Sequence, residues 1–469
     1  MGIRDKQNNW VEEMDDIAEV ATDYFETIFT LGSSNRMEEC IDSVPHKVTE
    51  EMREFLSSEY SEDEIKAALF QIGPTKAPGP DGMNALFYQK FWHIVGNDVI
   101  ADVLDFLNSG FMPPEINYIH IVLIPKIKNP EKIIDYRPTS LCNVIYKIIS
   151  KVLANRLKMI LPQLISPSQS AFVLGRLITD NMLVAYETLH AMNNKRSSKN
   201  GSLALKLDVS KVYDRVEWDF LKSIMSKMGL PNIWINRVMC CVMSASFSMR
   251  INGKAYGNIR PSRGIRQGDP LSPYLFLLCA EGFTSLLART QNEGHIHGVA
   301  VCRCAPSISH LLFADDSLLF CRATQGEVQV ISKLLQTYTD ASGQCINFDK
   351  SSVYFSTNTA MDQREGIKGE LGVSEVDRFD SYLGLPTLVG RPKYQTFSYI
   401  KDRVWKKIQG WKGQLLSRAG NEILIKAVAQ SIPTYTMGVF LLLMRLCNDL
   451  NAMCARFWWG QIRNERKIH

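Results

Sequence analysis

No stretch of this chain is long and apolar enough to cross a membrane. The longest apolar run, MGVFLLLM at 437–444, falls far short of the ~20 residues a spanning helix needs. Nor does the chain open on the basic, then apolar, pattern of a secretory leader; its first residues are polar and acidic. The 11 cysteines follow no regular framework in 469 residues, which excludes a small disulfide-stapled scaffold. They read as reduced thiols, so the expected location is intracellular, in cytoplasm or nucleus, with no targeting signal evident. Internal repeats and low-complexity tracts are absent as well, which excludes solenoids and arrays. What remains is a globular composition, 45% hydrophobic and 22% charged. The length suits roughly two to four packed units.

Net charge is low but unevenly placed. The total is +4, yet residues 1–72 hold 6 Lys/Arg against 18 Asp/Glu, a net of −12. Residues 387–469 hold 14 Lys/Arg against 4 Asp/Glu, a net of +10, with tryptophans interleaved. Such a segment suits a phosphate backbone; the plain alternative is a solvated helix face.

Apolar spacing predicts a helix over residues 10–30. Ser61 with Glu64 predicts a capping box on a second helix that stops at Gly73. PTKAPGPDGMN then breaks regular structure, and another helix is expected over roughly 84–109. NYIHIVLIPKIK alternates as a strand. SLCNVIYKIISKVLANRLKMILPQL reads as a long helix with Lys and Arg on its polar side. RVEWDFLKSIMSKMG predicts a helix ending at Gly229, and SPYLFLLCAEGFTSLLART one with Ser272 as N-cap and Pro273 at its first position.

Two segments carry the chemistry. HLLFADDSLLF sets Asp315 and Asp316 side by side in an apolar run. Such a pair is either a hairpin turn or a divalent-metal site, because burial worsens the repulsion of adjacent carboxylates and a hard cation removes it. The metal reading needs another carboxylate. LALKLDVS supplies one: Leu203, Leu205 and Leu207 share one strand face, so Asp208 lies on the other, at a strand end. A second candidate ion site, His295, His297, Cys302, Cys304 and His310, has zinc-type ligands but not the spacing of the usual fingers, and a β-hairpin leading into the Asp-Asp strand is the preferred reading.

The order of motifs TKAPGPDGMNALFYQKFW, IVLIPKIKNPEKIIDYRPTSLCNVIYKIISKVLANRLK, QSAFVLGRLITDN, LALKLDVSKVYDRVEWDFL, GIRQGDPLSPYLFLLCAEGF, HLLFADDSLLF, INFDKS and YLGLPTLVGR resembles the reverse transcriptases of LINE-type (non-LTR) retrotransposons, most closely the plant ones. They cover about residues 60–460. The resemblance implies an α+β right-hand polymerase with fingers, a palm built on a largely antiparallel sheet, and a helical thumb. It implies RNA-directed DNA polymerisation: an RNA template, a DNA primer, dNTPs, and two Mg²⁺ ions (Mn²⁺ as an alternative) held by Asp208, Asp315 and Asp316. By the same resemblance Lys126 and Arg137 grip the incoming triphosphate, and Arg suits this as a bidentate phosphate clamp. Tyr213 floors the nucleotide pocket under the sugar, and the following Asp214 is a structural residue. Gln267 and Gly268 pack on the nascent base pair, and Lys350, after the turn at Gly343, protonates the pyrophosphate. Tyr382–Gly384 matches a primer-gripping hairpin, and Gln169 and Arg176 a template-contacting segment. Val212 departs from the pattern, which normally has Ala there.

The implied organisation is an acidic helical linker at 1–60, an N-terminal extension of the fingers at 61–106, the reverse transcriptase domain at 107–386, and a basic thumb with the start of a C-terminal region at 387–469. Trp405 and Trp411 are expected in helix cores. The chain starts inside the linker and lacks the endonuclease domain usual in these elements, so a fragment of a longer reading frame is expected. Two rivals stand beside the enzyme: a non-enzymatic remnant that binds nucleic acid, and an RNA-dependent RNA polymerase, from which Tyr213 discriminates.

Overall fold

A computed structural model describes residues 2–32, 36–194, 201–390, 392–411 and 416–459. The larger sheet has five strands in the order Ser374–Glu375, Ser352–Phe355, Ser202–Leu207, Asp316–Arg322, His310–Phe313. Every pairing is antiparallel except that of the two short strands Ser352–Phe355 and Ser374–Glu375. The central strand LALKL places Leu203, Leu205 and Leu207 in the main core. Ala204 turns to a second core on the opposite face, with Leu318, Phe320, Tyr354 and the helix Ile178–Asn194. A strand buried on both faces carries near-continuous apolar sequence, which is what LALKL offers.

The second sheet runs Tyr136–Leu141, Tyr118–Pro125, Ser246–Ile251, Lys254–Ile259. The helix predicted over residues 10–30 is Met14–Phe29, which packs Phe29 on Phe247 of this sheet. The segment before it, Trp10–Val11, pairs instead with Ile3–Arg4.

The capping box is present. Ser61 Oγ accepts the Glu64 amide at 3.3 Å, Glu64 Oε2 accepts the Ser61 amide at 3.0 Å, and the helix Glu62–Gln71 follows. The helix expected over 84–109 is broken at Phe91 into Ala85–Lys90 and Trp92–Ser109. The helix Ser272–Asn292 takes Leu271 rather than Ser272 as its N-cap. The helix Trp218–Met228 does end at Gly229, whose φ of 96° only glycine adopts without strain.

The long helix Val144–Leu164 corrects the expectation of a basic polar side in part: Lys151 and Lys158 stay half-exposed, but two other cations do not. Lys147 and Arg156 are both buried. Lys147 Nζ donates to the Ala77 carbonyl at 3.0 Å. Arg156 forks onto Glu64 at 2.8 and 2.9 Å and lies 3.7 Å over the Tyr60 ring. A buried cation survives only when paired and hydrogen-bonded. These partners come from elements about seventy to ninety residues away (by |i−j|), which local periodicity does not register.

The C-terminal helices Lys393–Trp411 and Met444–Trp458 pack around a separate core of Phe397, Ile400, Val404, Ile408, Leu446, Leu450 and Phe457. Trp411 joins it, 5.4 Å from the Phe457 ring. Trp405 does not: it is 43% exposed, one step round the helix from Val404. No described helix is long and apolar enough to cross a membrane.

Candidate active site

The strand Ser202–Leu207 ends where its apolar alternation ends, and Asp208 follows. Its amide donates to Ser351 Oγ at 3.1 Å, and its carbonyl accepts from the Asn347 amide at 2.8 Å. Val209–Ser210 then pairs with Cys345–Ile346, so Asp208 sits at the break between two pairings. Next to it, His310–Phe313 and Asp316–Arg322 form a hairpin in which Phe313 faces Asp316 and Ala314–Asp315 make the turn. Ala314 is left-handed, with φ 53°. The register pairs Ser317 with Leu207, which brings Asp316 to the same sheet end, and the same face, as Asp208. The Asp-Asp pair is therefore a hairpin tip, and it lies beside the third carboxylate.

Their charges are felt mutually. Loss of hydration, then the charge of Asp315, with Lys206 opposing and Asp208 adding a little, raises the Asp316 carboxyl above the ordinary carboxylate range. The donor set, three carboxylates with mutual repulsion, fits a hard divalent cation. Among the described residues, no three His, Cys, Asp or Glu side chains gather closely enough to hold an ion, in keeping with the mutual repulsion of adjacent carboxylates.

Asp208 and Asp315 line a cavity of about 910 Å³ whose other walls include Lys126, Arg137, Tyr213, Gln267, Gly268 and Lys350. Of the nine residues expected to hold the metal ions, the nucleotide and the nascent base pair, eight share one cavity; Asp316 is not among its lining residues. Ile124 pairs with Arg137 across two strands, and Lys126 lies two positions on, just past the strand end, its amide on Asp135 O at 2.8 Å. Burial, then Arg137 and Lys350, push the Lys126 ammonium below its ordinary pKa. Lys350 follows the turn at Asn347, whose Oδ1 accepts its amide at 3.2 Å. Gly343 caps the preceding helix at φ 75°, with Arg215 O only 2.5 Å from where a Cβ would sit. Gly268, at φ 102°, lies against the strand Tyr136–Leu141, where the Ser140 amide donates to Gln267 O at 3.1 Å.

Tyr213 is half-buried, stacked 5.5 Å from the Phe276 ring. Burial, then Asp315, push its phenol up to about 12. Val212 is buried beside it, and its carbonyl oxygen accepts a hydrogen bond from Gln344 Nε2 at 2.9 Å.

Several expectations move. Gln169 and Arg176 are not placed to reach a template. Gln169 Nε2 is without a partner among the described residues but buried. Gln169 Oε1 accepts the Ala171 and Ala314 amides at 2.9 and 3.0 Å, and the Arg176 guanidinium is taken up by the carbonyls of Pro162, Ile165, Ser166 and Gln169. Tyr382 is buried in the tight turn through Leu383 and Gly384, its hydroxyl on Asn181 Oδ1 at 2.9 Å. The zinc alternative is not supported: His297 pairs with Glu327 at 2.9 Å, and His310 sits between Ser168 and Ser309. Val299 bridges Ile308 antiparallel there, as the hairpin reading expects.

Sequence reasoning missed part of the cavity wall: Lys6, Tyr24, Thr27 and Ile28 of the N-terminal segment, and Lys211, Arg215 and Arg266. It also underrated Asp214, nearly fully buried, whose carboxyl burial lifts to about 6 against the pull of Lys211, Lys126 and Arg215. The motif SKVYDR held that signal, three charges in six residues next to Asp208.

Residues 124–387 match the family model for reverse transcriptase (RNA-dependent DNA polymerase), and all nine site residues fall within that span. The chain belongs to the reverse transcriptase family. Its relatives place it among the LINE-type, non-LTR enzymes. It is 28% identical to the transposon TX1 149 kDa protein of Xenopus laevis over 90% of this chain and 32% of that one. It is 26% identical to the Pol polyprotein of the type-2 retrotransposable element R2DM of Drosophila melanogaster, over 71% of this chain and 29% of that one. A stretch of 67 residues is 55% identical to an uncharacterised mitochondrial protein of Arabidopsis thaliana, over 14% of this chain and 55% of that one. The chain thus spans about a third of the length of the transposon TX1 and R2DM relatives.

Proposed function

We propose that this reverse transcriptase chain copies an RNA template by adding dNTPs to a DNA primer 3′-hydroxyl. The observation that carries the reading is the cavity whose lining includes Asp208 and Asp315 together with Lys126, Arg137 and Lys350. Negative groups for a cation and positive groups for a triphosphate face the same space. In this reading the five-stranded sheet is the palm, the four-stranded sheet belongs to the fingers, and the helices beyond residue 392 form the thumb. The eleven cysteines, all free, suit an intracellular setting, cytoplasm or nucleus.

Asp208, Asp315 and Asp316 would hold two divalent cations, Mg²⁺ or alternatively Mn²⁺. When bound, such ions supply positive charge to the attacking hydroxyl and the leaving pyrophosphate. The chain's own groups do the rest. Lys126 and Arg137 orient the triphosphate, and Arg137 takes two oxygens at once. Lys350 Nζ gives a proton to the departing pyrophosphate. Gln267 and Gly268 bring backbone close to the new base pair, which a side chain at Gly268 would hinder. The Tyr213 ring, fixed on Phe276, leaves no room for a 2′-hydroxyl and so selects deoxynucleotides.

Primer extension by the purified chain on an RNA template tests this. dNTP- and Mg²⁺-dependent product supports it. Tight duplex binding without extension would favour the nucleic-acid-binding remnant instead, and a preference for ribonucleotides the RNA polymerase.

A further inference from the structure

The cavity lining holds four cations that the reading above does not use, Lys6, Lys211, Arg215 and Arg266, and one of them stands out. Lys211 lies three residues beyond Asp208 and lines the same space. Its ammonium is shielded from solvent and meets no hydrogen-bond acceptor among the described residues. It rests 5.1 Å from the Tyr24 ring and 5.4 Å from the Phe25 ring, both on the N-terminal helix Met14–Phe29. Its backbone is left-handed, with φ 55°, a conformation that costs a lysine energy and is kept at sites where position matters.

A shielded ammonium with no acceptor is costly, and the ring faces repay only part of that cost. Asp214 is the obvious counter-ion, yet the two form no ion pair within 4.0 Å among the described residues, and Asp214 Oδ2 is itself without a hydrogen bond. Around Lys211 stand Lys126, Arg137, Arg215 and Lys350 on the same walls. Lys126 and Arg215 each disfavour its charge, after burial, while Asp214 favours it. With Lys6 and Arg266 the lining carries six further cations against the carboxylates of Asp208 and Asp315, with Asp214 shielded behind, and this leaves positive charge for an anion of several charges to neutralise.

We infer that Lys211 is a binding residue for the phosphates of the incoming nucleotide, positioned by Tyr24 of the N-terminal helix. The inference rests on the reading of this cavity as a nucleotide site. The acidic N-terminal segment is then part of the nucleotide site. Tyr24 holds the flexible lysine stem near the cavity, and an entering phosphate oxygen supplies the missing acceptor. The rings hold it by a weak, non-directional attraction, so the ammonium exchanges them for a charge-assisted hydrogen bond.

Lys211→Met keeps the stem and removes the charge; Lys211→Arg restores a phosphate donor. Each is compared with the unaltered full chain in three measurements: affinity for inorganic tripolyphosphate, KM and kcat for dNTP in primer extension, and affinity for the primer–template duplex. The expected result for Lys211→Met is a tenfold or greater loss in tripolyphosphate affinity and rise in dNTP KM. Its kcat should stay within about threefold, duplex affinity should not change, and the melting temperature should not fall. Lys211→Arg should recover most of the loss. Tyr24→Leu should raise KM several-fold and Tyr24→Phe should not, which decides the matter if Lys211→Met fails to fold. An active chain in which Lys211→Met, or Tyr24→Leu in its place, leaves KM within twofold overturns the inference alone. Tripolyphosphate binding through Lys211 in a chain that extends no primer overturns the polymerase reading and leaves the phosphate site standing. A chain that neither binds tripolyphosphate nor extends overturns both.

Discussion

Gln169 Oε1 accepts the backbone amide of Ala314 at 3.0 Å and so ties a buried loop to the turn that carries Asp315. The same oxygen holds the Ala171 amide at 2.9 Å. Gln169→Leu keeps the volume and removes both bonds. Two buried amides left without an acceptor cost about 1–3 kcal/mol each. The variant should lose about 2–4 kcal/mol in chemical denaturation, less than the plain sum because the loop relaxes. Primer extension should fall by at least tenfold, since the Asp315 turn loses its brace. Unchanged extension would show that Gln169 supports only the fold.

The proposed sugar gate is the Tyr213 ring stacked on Phe276. Tyr213→Ala should let ribonucleotides compete, with dNTP use less affected. The ratio of kcat/KM for dNTP over rNTP measures it and should fall by at least tenfold. An unchanged ratio would remove Tyr213 as the gate.

The basic C-terminal segment should carry much of the duplex affinity. Log affinity should fall linearly with log salt, at a slope of about −0.9 per phosphate contact for duplex DNA. Lys406 and Lys407 are exposed on the helix Lys393–Trp411. Replacing both with Gln should reduce the magnitude of the slope by up to about 1.8. A slope that stays the same would move the binding surface elsewhere.

His310 gives a pH signature. Burial pushes its imidazole down to about 4, so the folded chain holds it neutral. Between about 4 and its ordinary 6.5 the unfolded chain binds the extra proton. The stability it confers is therefore full above pH 6.5 and is lost as pH falls toward 4. Compared with His310→Gln, the unaltered chain should lose about 3 kcal/mol more across that window. Urea denaturation of both proteins at several pH values reads the difference. Parallel curves would mean that His310 is already charged in the fold.

Local pattern carried a good part of this structure. The parity of Leu203, Leu205 and Leu207 placed Asp208 correctly, because a strand has only two faces. The reciprocal bonds of Ser61 and Glu64 were legible because a helix start is set by four residues. What the sequence hid are partnerships across distance. Lys147 and Arg156 look like surface charges until the loops over them are placed. Trp405 and Trp411 look alike until the helix face that meets Phe457 is known. Tyr24 and Lys211 are 187 positions apart in sequence, and only packing brings them to one wall.

The most direct test of the central claim is primer extension by the Asp208→Asn chain beside the unaltered one, on an RNA template with dNTPs and Mg²⁺. Asn keeps the shape of the side chain and loses the charge a cation needs. The account predicts that the unaltered chain extends the primer, and that the variant folds and binds the duplex normally with no more than a few per cent of that extension. Substantial extension by Asp208→Asn would contradict it, because Asp208 would then not belong to the catalytic carboxylates.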